Sequence, residues 1–174
     1  LYDNIMNKFE WGNIKDPKVN IDFFHDQTIA VMKYRNTFLR LAQKLYDEGK
    51  QAEAVAVLDK SLEEIPLYQV PADNSMLFYI PMYYELGETE KANHLLNELA
   101  TNNYQMLKYA NTPSIQQEER LSIEVIKQLL AFATQAGQKE LAQELQDKVL
   151  RLYNPSHISP DKPLMKDTAD KAGK

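Results

Sequence analysis

Between Thr28 and Glu48 the apolar residues Ile29, Met32, Phe38, Leu41, Ala42 and Leu45 return at intervals of three and four. That is the period of a helix burying one stripe, and it predicts a helix over 28–48 with Asp26 as its N-cap. Gly49 ends it, because glycine takes the left-handed conformation past a helix C-terminus at little cost. A second periodic run opens at once. In QAEAVAVLDKSLEEIP the set Ala54, Val55, Leu58, Leu62 and Ile65 recurs at three and four. Pro66 closes the run, since it lacks the amide that the next hydrogen bond needs. Two helices joined by so short a turn form an antiparallel pair.

The same phrase returns twice. In YIPMYYELGETEKANHLLNELA, Gly87, Ala92, Leu96 and Leu99 stand where the first phrase has Gly49, Ala54, Leu58 and Ser61. In LLAFATQAGQKELAQELQDKVLRLYNP those places hold Gly137, Ala142, Gln146 and Val149. Three of the five glycines thus sit between paired helical runs, which is the mark of a repeat rather than of isolated helices.

On these residues the chain resembles the tetratricopeptide repeat. The first unit carries the whole phrase: Phe38, Leu41 with Ala42, Leu45, Gly49, Ala54, Leu58, Ser61 and Pro66. The other two depart from it, with Ile80 and Leu130 where a small residue lets the helices approach, and Leu99 and Val149 in place of the later alanine. The glycines lie 38 residues (49 to 87) and 50 residues (87 to 137) apart, against about 34 in the family. The extra length falls in TNNYQMLKYANTPSIQQEERLSIEV. There the helix after Gly87 is expected to run on toward Tyr109, with a turn at 111–113 and a capping box at Ser114. Pro81 predicts either a kink or a helix start near Ile80.

The resemblance implies an all-α fold of antiparallel helix pairs in a right-handed superhelical stack, about three repeats, over residues 28–153. Residues 1–27 have no sustained period, and read as an irregular lead-in with one short helix near 1–9 and aromatics, including Trp11, Phe23 and Phe24, covering the end of the stack. Residues 154–174, with four Lys, three Asp and three Pro, read as an extended tail. In such repeats the first helices line a concave groove, which here places Asn36, Leu39, Gln43, Tyr46, Leu77, Tyr84 and Lys127 along it, with Arg40 at its margin. Domains of this kind that grip peptide C-termini use a Lys, Arg and Asn set that the groove lacks, so a carboxylate clamp is not expected.

Composition adds limits. The 174 residues are 44% hydrophobic and 26% charged, as in one ordinary globular domain. A net charge of −5 with scattered Lys and Arg excludes a general nucleic-acid binder, whose affinity rests on a basic stripe. Zero cysteines rule out disulfides and thiolate chemistry, and fit cytosol and periplasm alike. No run approaches the ~20 apolar residues of a membrane-spanning helix. The chain opens on Leu1, in the middle of a structured phrase, which points to a piece of a longer protein.

Catalytic signatures are missing from the sequence: it has no phosphate-cradling glycine loop, HExxH, GxSxG or EF-hand loop. His25 with Asp22 and Asp26 reads as a helix-entrance cluster before it reads as a metal or acid–base site, and His94 as a half-buried, hydrogen-bonded ring. Glu63–Glu64 and Glu118–Glu119 are adjacent on helices and diverge by about 100°, so they read as solvated faces rather than dyads. Tyr79 and Tyr83, four apart, read as core, and Tyr84 as a surface tyrosine of the kind common at interaction hot spots. No cofactor is expected.

A second resemblance covers nearly the whole chain. YDNIMNKFEWG, then YRNTFLRLAQKLYDEGKQAEAVAVLDKSLEEIP, YELGETEKANHLLNELA and AGQKELAQELQDKV are similar to the C-terminal region of glycosyltransferase family 117, bacterial multi-spanning membrane proteins likened to protein O-mannosyltransferases. The resemblance implies a non-catalytic domain that binds or positions protein or peptide beside the membrane-embedded part of its own chain, on the periplasmic side. The alternatives are a stand-alone, cytoplasmic adaptor binding a peptide in the groove, and a small enzyme acting through Asp22, His25 and Asp26.

Overall fold

The computed structural model describes residues 1–22, 32–109 and 116–153. Among them there is no strand. A π-helical turn, Asn4–Lys8, precedes α1 (Met32–Asp47), α2 (Gln51–Glu64), α3 (Met76–Glu85), α4 (Thr89–Tyr109), α5 (Gln116–Gln135) and α6 (Lys139–Tyr153). The protein is all-helical, and its helices pack in pairs: α1 on α2, α3 on α4 and α5 on α6, with α4 also packed on α5. No helix of the described residues is long and apolar enough to cross a membrane.

Each pair turns on the glycine expected to end its first helix. Gly49, Gly87 and Gly137 have φ of +76°, +78° and +71°. After each, the next amide reaches back to the preceding helix: Lys50 N to Leu45 O and Glu88 N to Tyr83 O at 2.9 Å, Gln138 N to Ala133 O at 2.8 Å. This is the six-to-one bond that satisfies the last orphan carbonyls of a helix, and it needs a residue at home with positive φ.

The core follows the periodic stripe. Phe38, Ala42, Ala54 and Leu58 of the first pair and Tyr79, Ile80, Ala92 and Leu96 of the second are completely buried. In the third pair the matching places are more open: Leu130 and Ala142 are half-buried and Gln146 is exposed. The long second spacing comes from α4 and α5, of 21 and 20 residues against the 14 of α2 and the 10 of α3, and α4, about 31 Å long at 1.5 Å per residue, overhangs α3. Asn102 ties this overhang to the α2–α3 connection, donating to Ala72 O at 3.1 Å.

The described part of the lead-in packs on the first pair. Trp11 is buried, its ring 4.5 Å from that of Phe38 and edge-on to Tyr34 at 5.5 Å. Ile14 and Ile21 pack against buried Ile65 and Val70.

Some sequence expectations are corrected. α3 begins at Met76, upstream of Ile80, and passes through Pro81, because buried Met76, Tyr79 and Ile80 hold that stretch in the core. On α2 the buried set is Ala54, Val57, Leu58, Ser61 and Glu64; Val55 and Leu62 stand at its edge, half-buried. Glu64 is therefore not on a solvated face: it is buried under Lys60 and Lys15, at 2.7 and 3.0 Å, while Glu63 is exposed. His94 is exposed rather than half-buried. The expected N-cap Asp26, the cluster around His25, the aromatics Phe23 and Phe24, the turn at 111–113, the Ser114 capping box and the tail from 154 lie outside the described residues.

Candidate interaction groove

Of the seven groove positions, four come from α1. Its buried register runs through Phe38, Ala42 and Leu45, so residues one or two places along are turned outward: Asn36 and Gln43 are exposed, Leu39 and Tyr46 half-buried at the edge of the core. Leu77 and Tyr84 on α3 are half-buried in the same way, and Lys127 on α5 is exposed. α1 touches α3 and α3 touches α5, so the three first helices are neighbours. Phe78, beside Leu77, is 62% exposed and is the largest apolar side chain that α3 offers to solvent. The sequence reading left it out of the groove.

Several polar groups of the groove are already engaged. Tyr84 donates its hydroxyl to Asn93 Oδ1 at 2.6 Å, and Asn93 Nδ2 donates to Gln138 Oε1 at 3.0 Å, which joins the second turn to the third. Gln43 donates to Asp47 at 3.0 Å, and Lys127 lies 2.7 Å from Glu124. Burial pushes the Tyr84 hydroxyl above its ordinary pKa. The seven expected positions are thus four half-buried side chains, Leu39, Tyr46, Leu77 and Tyr84, with the exposed amides Asn36 and Gln43 and the exposed Lys127; Arg40, expected at the margin, is exposed as well.

Two networks escaped the sequence reading, and both sit between units. Arg35, fully buried, donates to Asp73 Oδ2 at 2.6 Å, Val70 O at 2.9 Å and Pro71 O at 3.3 Å, gathering the α2–α3 connection around one guanidinium. Tyr79 donates to Arg35 O at 2.8 Å, so the hydroxyl of Ser61, 2.8 Å away, donates in turn to Tyr79. A signal for Arg35 existed: the three-and-four spacing through Phe38, Ala42 and Leu45 extends back to it.

The second network centres on Asp59 of α2, which accepts from Tyr83 at 2.9 Å and from Lys91 at 2.8 Å. Burial and the negative charge of Asp59 push Tyr83 well above the ordinary tyrosine range, and burial does the same to Tyr79. Neither hydroxyl is poised for proton transfer near neutrality. Beside this node a shallow hollow of about 310 Å³, floored by Leu62 and Leu95, has His94 on its rim. Among the described residues no group of three His, Asp or Glu is placed to hold a metal.

No protein-family model matches the chain, and no curated protein or solved structure matches it either.

Proposed function

We propose that the chain is a tetratricopeptide-like domain of three helix pairs in a right-handed superhelical stack. It has no catalysis of its own, and it binds or positions protein or peptide beside the membrane-embedded, glycosyltransferase-like part of a longer protein of the family 117 type. The observation that carries the repeat reading is the identical turn at Gly49, Gly87 and Gly137, each joining the two helices of a pair. The adjacency of α1, α3 and α5 supports a common face for a partner, with Leu39, Tyr46, Leu77 and Tyr84 as its apolar row and Asn36, Gln43 and Lys127 as its polar flank. The membrane context rests on the phrase YDNIMNKFEWG, which helix-pair packing alone does not require.

The test is a blot of the source cells, separated into membrane and soluble fractions and probed with an antibody to this domain. A membrane-bound band far above 20.1 kDa, digested by protease added from the periplasmic side, is the expected result. A soluble band near 20.1 kDa overturns the membrane context and favours a stand-alone adaptor.

A further inference from the structure

We infer that residues 1–22 are a rigid strut that fixes how the helix pairs are oriented to the chain entering at Leu1, rather than a flexible linker. For its use in a membrane protein this rests on the function proposed above; for its mechanics it rests on contacts alone.

The strut is held at three places. At its aromatic end, Trp11 lies on Phe38 of α1, with Phe9 4.3 Å away on the strut side. In the middle, the side chain of Gln69, on the α2–α3 connection, puts its Nε2 3.0 Å from Ile14 O, 2.8 Å from Asp16 O and 3.1 Å from Val19 O, so one amide group gathers three carbonyls of an irregular loop. Tyr68, next to it, donates to Lys15 O at 2.6 Å. Lys15 itself reaches back to Glu63 and Glu64 at the end of α2, at 3.3 and 3.0 Å. Beneath these bonds Ile14 and Ile21 cover Ile65 and Val70.

The backbone of a linker is free because its polar groups bond to water and its side chains bury nothing. Here both conditions fail. Carbonyls of the irregular loop bond to side chains of the helical body, and the apolar residues are part of its core. The α2–α3 connection that receives them is itself fastened to α1 by Arg35, so the strut is joined to both helices of the first pair and to the segment that leads into the second. A turn or pull applied to residues 1–22 therefore moves the helix pairs with it, and in the longer protein proposed above they would keep a constant bearing to whatever is joined at Leu1.

The chain has no cysteine, so two can be introduced as the only labels. We would replace Asn7, on the strut, and Glu85, at the exposed end of α3, by cysteine, attach nitroxides, and read their separation by double electron–electron resonance. One narrow distance distribution is expected, broadened when Trp11→Ala and Gln69→Ala are added. A broad distribution in the parent pair overturns the inference. So does a narrow one that the added substitutions leave unchanged while the helical circular dichroism is retained. If they unfold the protein, the parent pair alone decides. Because this is measured on the 174-residue chain itself, it can fail while the membrane fractionation succeeds, and the reverse.

Discussion

Arg35 and Asp73 meet at 2.6 Å, the guanidinium wholly buried and the carboxylate 32% exposed. This pair, with the carbonyls of Val70 and Pro71, sets the path of the chain from α2 to α3. Truncating a buried ionic partner leaves the others unpaired, which is costlier than the pair is worth in isolation. Arg35→Ala is expected to lose about 3 kcal/mol in urea unfolding followed by circular dichroism. Arg35→Lys should recover only part, because one ammonium cannot span the acceptors of a planar fork. A loss within error of zero for Arg35→Ala would remove this connection as an organising element.

Ser61, Tyr79 and the Arg35 carbonyl form a relay in which each hydroxyl has one donor role. Tyr79→Phe should cost about 1–2 kcal/mol, since it removes two buried hydrogen bonds at once. In the double variant with Ser61→Ala the loss should fall short of the sum of the singles, as for groups sharing one bond. Strict additivity in a double-mutant cycle would contradict the relay.

Tyr79 and Tyr83 are both held above the ordinary tyrosine pKa of 10.0, chiefly by burial. The folded state keeps the proton more tightly than the unfolded chain does. The stabilisation is therefore complete below pH 10 and is lost as pH rises beyond it. Spectrophotometric titration should show the exposed tyrosines ionising first and these two only together with unfolding. Replacing either with Phe should reduce the tyrosinate signal released in that late step. Smooth titration of all ten tyrosines near pH 10 with the fold intact would count against the buried assignment.

At the Asp59 node the two bonds differ in worth. Lys91 and Asp59 are about two-fifths exposed, and such a pair contributes about 0.5 kcal/mol after solvent screening. The bond from the buried Tyr83 hydroxyl is charge-assisted and sheltered, worth roughly 1.5–2 kcal/mol. Asp59→Ala, which removes both bonds, should accordingly destabilise about four to five times as much as Lys91→Ala, and the larger share of the Lys91 effect should fade in high salt. Equal losses would reverse that ranking.

Gly87 has φ of +78° and nothing within 4 Å of where a Cβ would stand. Gly87→Ala is then expected to cost about 1 kcal/mol from backbone strain alone, and Gly87→Asn less, since asparagine visits that conformation more readily. A cost of several kcal/mol on thermal melting would point to a contact rather than to strain.

The helix pairs were legible in the sequence because each rests on a local signal: a three-and-four stripe, a turn glycine and, in the first pair, a closing proline. The buried ends of Tyr79 and Tyr83 followed from the same spacing. Arg35 and Glu64 were harder because charge argues for the surface, and only the register of their helices argues otherwise; register is the stronger physical constraint when partners are at hand. The exposed His94 shows the reverse, a ring beside Leu95 and Leu96 but one step outside the buried stripe. Bonds between units, such as Asn93 to Gln138, join residues 45 apart and leave no periodic trace. For the proposed groove, the sequence could supply positions on helices but not how many of the polar groups there the protein spends on itself.

Gln146 stands where Leu58 and Leu96 are sealed in the core, and it faces water. The position that seals the first two pairs with a leucine thus presents an amide to solvent on α6, which keeps that face of the third pair wettable.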